Sequence, residues 1–397
     1  MPAKLNNTIS TEKYNLTVKT YAGLEPVLAR EIRNIGGKNI KEGRRAVSFT
    51  GYPEIIYKAN YYLRTALRVL KEIAVFHFRD VDQFYLKCKS VNWSEYMNTD
   101  QSFIVNSTVV HSKEFRNSMY ASLKVKDAVA DRFREKTGKR PDVDTTRPQI
   151  FINVHINKNI CILSLDSSGE SLHKRGYRIT GGDAPLSEVL AAGMILLSGW
   201  NGSSDFIDPM CGSGTLTIEA ALIAKNIPPG KFRKKFAFED WPDFNKILFD
   251  KIKKIQTPKT FSQKIYASDI SGKNVLKAQT NARRAGVYSA ITFKSCNMKD
   301  LQMNTSKAVI IINPPYGERL KYQNLKDIYS MMGNTLKQRF TGNSAWILTT
   351  SGEYLKYIGL KPAKKVVLYN GAIKCIFSFF PLFEGKRKDN LSEAKSV

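Results

Sequence analysis

The sequence predicts an α/β chain: a mostly parallel sheet finishing in an antiparallel hairpin, preceded by a separate α+β region. Three observations carry this. A short apolar strand, a glycine turn and a helix follow one another over residues 206–226, the corner from which open nucleotide-type sheets are built. Two further strand–helix pairs follow, over residues 264–285 and 309–340. Asn370-Gly371 then separates two β-rich runs, 366–369 and 373–380, and Asn-Gly is the strongest short hairpin signal.

The bounds are consistent with this. At 397 residues and 42% hydrophobic, the chain can hold two or three domains with sizeable cores. No apolar run reaches the length of about 18 residues that a membrane helix needs, and the polar N-terminus predicts no signal peptide. Five scattered cysteines without a CxxC pair predict a reducing, cytoplasmic setting and no cysteine zinc site. The four histidines lack metal-ligand spacing, so no metal is expected. Sixty-two Lys and Arg against 35 Asp and Glu give a net charge of +27, which predicts a polyanionic partner rather than charge for solubility alone.

In the first half, residues 14–20 alternate as a strand. Leu24, Val27, Leu28 and Ile32 share one face of a helix that ends at Gly36-Gly37. Residues 47–50 predict a strand and 53–60 a helix. That helix is expected to continue through Leu63, Leu67 and Leu70, with Arg64 and Arg68 on its polar side. Strands are expected at 75–78 and 103–108, and helices at 82–90 and 124–140. The last of these shows many cations, partly neutralised by Asp127, Asp131 and Glu135. Residues 150–156 and 160–165 predict a hairpin through Asn157-Lys158-Asn159. The aromatic-basic stretch 232–241 is open to two readings, stacking on RNA or packing on the catalytic half.

The chemistry is concentrated in the second half. In Asp208-Pro209-Met210-Cys211-Gly212-Ser213-Gly214-Thr215, the glycines let a ligand approach the backbone, and Thr215 can accept from N–H groups at the helix start. A Walker loop is excluded, because no Lys-Ser/Thr follows. The Asp208 carboxylate suits an ammonium better than a phosphate. Strand 264–270 ends at Asp269 and Ile270, where a carboxylate can receive ribose hydroxyls. Asn297 ends the next strand and can accept through its amide oxygen, with Asp300 as the fallback. The run at 309–312 stops at Asn313-Pro314-Pro315-Tyr316, because prolines cannot extend a central strand. The Asn313 side-chain oxygen and the Pro314 carbonyl can each take one hydrogen of an exocyclic amino group, and Tyr316 can stack on the ring that carries it. The plainer reading is a turn that only ends a strand.

Asn313-Pro314-Pro315-Tyr316 resembles the catalytic motif of S-adenosylmethionine-dependent amino-methyltransferases acting on adenine or guanine. The Asp208–Thr215 stretch resembles the first cofactor motif of the same enzymes. The first half resembles a ferredoxin-like plus THUMP arrangement, and Leu172-His173-Lys174-Arg175-Gly176-Tyr177-Arg178 resembles the THUMP–methyltransferase junction of the large-subunit rRNA guanine-N2 methyltransferase family. This implies a ferredoxin-like domain at 1–60, a THUMP domain at 61–165, a Rossmann-like class I methyltransferase domain at 166–385 and a disordered basic tail at 386–397. It implies S-adenosylmethionine as cofactor, held by Asp208, Pro209, Cys211, Gly212, Gly214, Thr215, Asp269, Ile270 and Asn297. Catalysis would fall to Asn313, Pro314, Pro315 and Tyr316. In similar enzymes an aspartate often stands where Asn297 stands. The implied substrate is a guanine in 23S-type rRNA or a pre-ribosomal particle, modified by a cytoplasmic monomer. The rivals are a tRNA guanine methyltransferase, an adenine-N6 DNA methyltransferase and a non-catalytic RNA-binding assembly factor.

Overall fold

The computed structural model describes residues 12–178, 186–255, 259–303, 305, 307–315, 322–350 and 352–383. Tyr316 and the tail from 386 lie outside the described residues. The chain divides into two compact units. Their described residues are 12–20, 28–172 and 233–255 in one, and 21–27, 173–178, 186–232 and 259–383 in the other, save the few omitted above.

The chain opens with β1 (Tyr14–Lys19), α1 (Glu25–Asn34), β2 (Lys38–Gly43), β3 (Ala46–Gly51) and α2 (Glu54–Tyr62). It continues as β4 (Arg68–His77), α3 (Val81–Ser90), β5 (Phe103–Val110), α4 (Ser118–Thr137), β6 (Ile150–Asn157) and β7 (Ile160–Asp166). One seven-stranded sheet results, in the order β2-β3-β1-β4-β7-β6-β5. Strand β4 is its hinge. Arg68 to Lys71 pair with β1, and Leu70 to His77 pair with β7.

The helix expected to run on from Tyr61 is therefore a correction. It stops at Tyr62, and Leu63 turns extended at φ −70°, ψ 120°. The next two backbone N–H groups, of Arg64 and Thr65, are taken by the half-buried Glu31 carboxylate at 2.8 and 3.0 Å. They cannot serve a further helical turn, and the Leu63/Leu67/Leu70 spacing is overridden. Strand β2 was not expected either. Its sequence is polar and mostly exposed, and it is a strand only through pairing with β3. Helix α4 starts at Ser118 and ends at Gly138, which takes φ +71° as the C-cap, so Lys139 and Arg140 lie beyond it.

The second half continues as α5 (Glu188–Leu197), β8 (Phe206–Asp208), α6 (Thr215–Ala224) and α7 (Lys246–Ile255). Helix α7 and the turn before it belong to the first unit. The RNA-stacking reading of the 232–241 stretch is corrected by this, and packing on the catalytic half holds only for Phe232, whose ring meets Tyr177 at 6.0 Å. Phe236, Phe238 and Trp241 are buried in the first unit's core with Tyr57, Phe249 and Ile252. Phe236 stacks on Phe238 at 5.2 Å, and Tyr57 lies 4.8 Å from Phe238. Lys71 Nζ sits 5.6 Å from the Trp241 ring and 3.9 Å from the Tyr14 ring. These rings are spent on packing.

Then come β9 (Ile265–Asp269), α8 (Gly272–Arg284), β10 (Ile291–Ser295), β11 (Val309–Ile312), α9 (Tyr322–Arg339), β12 (Ser344–Thr349), α10 (Gly352–Ile358), β13 (Lys364–Asn370) and β14 (Ile373–Pro381). Their order with β8 is β10-β9-β8-β11-β12-β14-β13. Pairing is parallel from β10 to β12 and antiparallel at β14 and β13. The hairpin turn sits one residue later than Asn-Gly suggests. Asn370 still pairs with Ile373, so Gly371 and Ala372 form the loop, and Gly371 supplies the positive φ of +65°.

Candidate active site

Strands β8, β9 and β10 run outward one way and β11 and β12 the other, so the order reverses between β8 and β11. Ligands of open α/β sheets sit beyond the strand C-termini at such a reversal. Asp208 ends β8. Ile207 pairs with Ile310 of β11, and Asp208 pairs with Ala267 of β9. Asp269 and Asn313 each project beyond that level, on either side of Asp208.

Asp208 is 1% exposed, and the Met210 N–H donates to its Oδ1 at 3.2 Å. Burial pushes its carboxyl up to about 8. The Met210 bond opposes the rise, and the neighbouring Asp269 charge adds to it. Such a group gains from a cation beside it. Gly212 and Gly214 take φ +53° and +84°. A Cβ at Gly212 would meet nothing within 4 Å, whereas one at Gly214 would stand 2.8 Å from Ala278 Cβ. Gly212 thus faces space, and Gly214 permits α6 to pack on α8. Pro209 and Cys211 are buried, and burial pushes the Cys211 thiol up.

Asp269 already has protein partners. Gly212 N donates to Oδ2 at 2.9 Å, and Ser271 N and Asn274 Nδ2 donate to Oδ1 at 2.9 and 3.1 Å. It ties the glycine turn to the start of α8. A carboxylate offers about four acceptor positions, so little remains for two ribose hydroxyls. Ile270 beside it is 73% exposed. Asn297 Oδ1 accepts from Lys299 N at 3.1 Å, which uses one acceptor position on a local turn. Asp300 is exposed. Thr215 is corrected. Gly214 is the N-cap of α6, and the Thr215 hydroxyl accepts from Arg178 Nη2 at 2.7 Å.

Asn313 has one buried side-chain atom without a hydrogen-bond partner among the described residues, its Oδ1. A buried orphan acceptor is costly in a native fold, and here it stands at the reversal point. Pro314 is buried and Pro315 exposed.

Sequence reasoning missed Arg178. Its guanidinium also donates to Leu186 O at 2.9 Å and pairs with Glu188 at 3.3 Å. Below it, Arg175 and Tyr177 reach the fully buried Glu219, at 3.7 and 3.0 Å. The junction residues were visible, but nothing in their spacing names helix partners up to 44 residues away. No helix among the described residues is long and apolar enough to cross a membrane. No group of three metal-ligating side chains occurs among them.

Fold and site together define a Rossmann-like methyltransferase domain behind a ferredoxin-like and THUMP region. Family models agree by segment: an RlmL ferredoxin-like domain at 15–70, a THUMP domain at 78–166 and an RMKL-like methyltransferase domain at 175–378. The chain belongs to the RMKL-like methyltransferase family. It is 39% identical over 376 residues to ribosomal RNA large subunit methyltransferase K/L of Syntrophotalea carbinolica, covering 91% of this chain and 53% of that one. The chain therefore spans about half the length of that relative. It is 34% identical to slr0064 of Synechocystis sp., covering 96% of this chain and all of that one. The crystal structure of SMU.472 complexed with SAH superposes with a TM-score of 0.86 at 31% identity, over 95% of this chain and all of that one.

Proposed function

We propose that this chain methylates the exocyclic amino group of a guanine in large-subunit ribosomal RNA, as a cytoplasmic monomer using S-adenosylmethionine. One observation carries the reading: the orphan Asn313 Oδ1 at the strand reversal. An acceptor left open beside a buried carboxylate calls for a donor on the ligand. The K/L relative's name supports rRNA, and the THUMP segment supports RNA as the partner.

The residues fit the cofactor. Asp208 suits a cation in a desolvated place, Gly212 leaves room for close approach, and Ile270 offers an apolar face for a ring. Pro209, Cys211, Gly214 and Thr215 shape the corner, with Asp269 holding the turn and Asn297 the adjoining loop. S-adenosylmethionine, when bound, supplies a methyl group activated by its sulfonium. The chain itself has only to position a neutral amine and stabilise the charge growing on its nitrogen. Asn313 Oδ1 and the Pro314 carbonyl accept its two hydrogens, which become more acidic as that charge grows. Pro315 fixes the turn, and Tyr316 stacks on the base once it leaves its helix.

Transfer of labelled methyl to separate pools of rRNA, tRNA and DNA tests this. Label in N2-methylguanine of large-subunit rRNA is expected. Label in tRNA, or in N6-methyladenine of DNA, favours the corresponding rival, and no transfer to any pool favours the assembly factor.

A further inference from the structure

Helix α8 has two chemically distinct faces. Asn274, Ala278 and Asn281 recur at helical spacing on the face that meets the glycine corner. Asn274 holds Asp269, Ala278 packs at Gly214, and Asn281 Nδ2 donates to Ser213 O at 3.0 Å. A second face carries Lys273, Lys277 and Arg284, all exposed. At 3.6 residues per turn these three fall within about 40° of one another, spaced roughly 6 and 10 Å along the axis.

The charge on this face is unbalanced. Residues 272–284 include no Asp or Glu. Among the described residues, no ion pair engages Lys273, Lys277, Arg283 or Arg284. Lys273 and Lys277 are like charges at i, i+4, and Lys273 lies in the first turn, where the helix dipole opposes a cation. The arrangement works against the helix that bears it. Helix α4 differs, because it pairs Arg134 with Asp131 and Lys126 with Asp127.

At the far end of α8, the Arg283 guanidinium lies 4.3 Å from the Tyr288 ring centre. Tyr288 stacks on Phe293 at 5.6 Å and 16°, and is 39% exposed. A cationic stripe thus leads from the end of β9 toward an open aromatic–guanidinium stack. A polyanion carrying flat rings fits both features, whereas an acidic protein would use only the stripe.

We infer that this face of the second unit is an RNA track. Phosphates of a single-stranded segment follow Lys273, Lys277 and Arg284, and a base stacks at Tyr288. The inference rests on RNA being the substrate. It is tested on the full chain with a mixed-sequence single-stranded RNA oligonucleotide, by titration over a series of salt concentrations. The K273A/K277A/R284A variant is expected to lower the salt slope by about 2, at about 0.7 per phosphate contact. Tyr288→Ala is expected to weaken binding roughly tenfold, within the range for one stacked base. The K361A/K364A/K365A variant removes equal charge at the opposite edge of the same sheet and should keep the wild-type slope. Cofactor affinity by calorimetry should stay unchanged in all three, which also reports that the corner has folded. An unchanged slope in the α8 variant, or an equal loss in the opposite-edge variant, overturns the track. If the wild-type chain shows no salt-dependent RNA binding at all, the RNA reading itself falls with it.

Discussion

At the residue scale, Asp208 is the group whose environment is most unusual for its type. Its carboxyl lies near 3.8 when solvated and at about 8 in the fold, chiefly through burial. Between those values the folded chain holds a proton that the unfolded chain has lost. Its contribution to stability is therefore fully present below about pH 4 and is lost as pH rises through about 8. Binding a cationic ligand runs the other way, because it needs the carboxylate. S-adenosylmethionine affinity should rise from about pH 6 to about pH 8 and level off above, with a proton released below the plateau. Asp208→Asn should bind weakly and without this slope. Calorimetry over that range checks it, and a flat wild-type profile would remove Asp208 from the cation's surroundings.

At the element scale, most of the second unit was legible and part of the first was not. Strands β11 and β12 stand where the apolar runs put them, because central parallel strands are buried on both faces and read as continuous hydrophobic stretches. Strand β2 and the end of α2 were hidden because tertiary partners define them: β3 for the one, the Glu31 carboxylate for the other. The Asn313 turn was legible because proline leaves a strand few choices. That Asp269 is already held by the chain was not, since its donors include Gly212, far away in the chain, beside Ser271 and Asn274. Helix α7 shows the same limit. Its Phe249 is 4% exposed among Tyr57, Tyr61, Phe236 and Phe238. Phe249→Ala should cost about 3–5 kcal/mol, the range for emptying a packed aromatic site. Thermal and urea melts read this directly, and a loss under about 1 kcal/mol would mean that α7 is only loosely held.

At the scale of the whole molecule, the two units are interleaved in sequence. The chain passes from one to the other after residues 20, 27, 172, 232 and 255. A cut near 172 therefore yields no complete domain. A fragment of residues 1–172 lacks Phe236, Phe238, Trp241, Phe249 and Ile252 from its core, and leaves Tyr57 and Tyr61 facing water. It should melt without cooperativity or aggregate, whereas the full chain melts cooperatively. A soluble fragment with a sharp transition would contradict this. The interleaving also means that RNA affinity is best dissected by point substitution in the full chain, as for the α8 stripe. With a net charge of +27, the RNA affinity proposed above should depend on salt throughout.

The central claim is that Asn313 Oδ1 accepts from the amine being methylated. The most direct measurement is single-turnover methyl transfer by Asn313→Ala, with melting temperature and cofactor affinity taken on the same preparation. The rate should fall by about 10²–10³, the range for losing one partner of a developing charge, while cofactor affinity barely changes. The melting temperature should hold or rise, because a buried acceptor without a protein partner is removed. A folded Asn313→Ala chain that transfers methyl at the wild-type rate would contradict the account and leave the turn as a strand terminator.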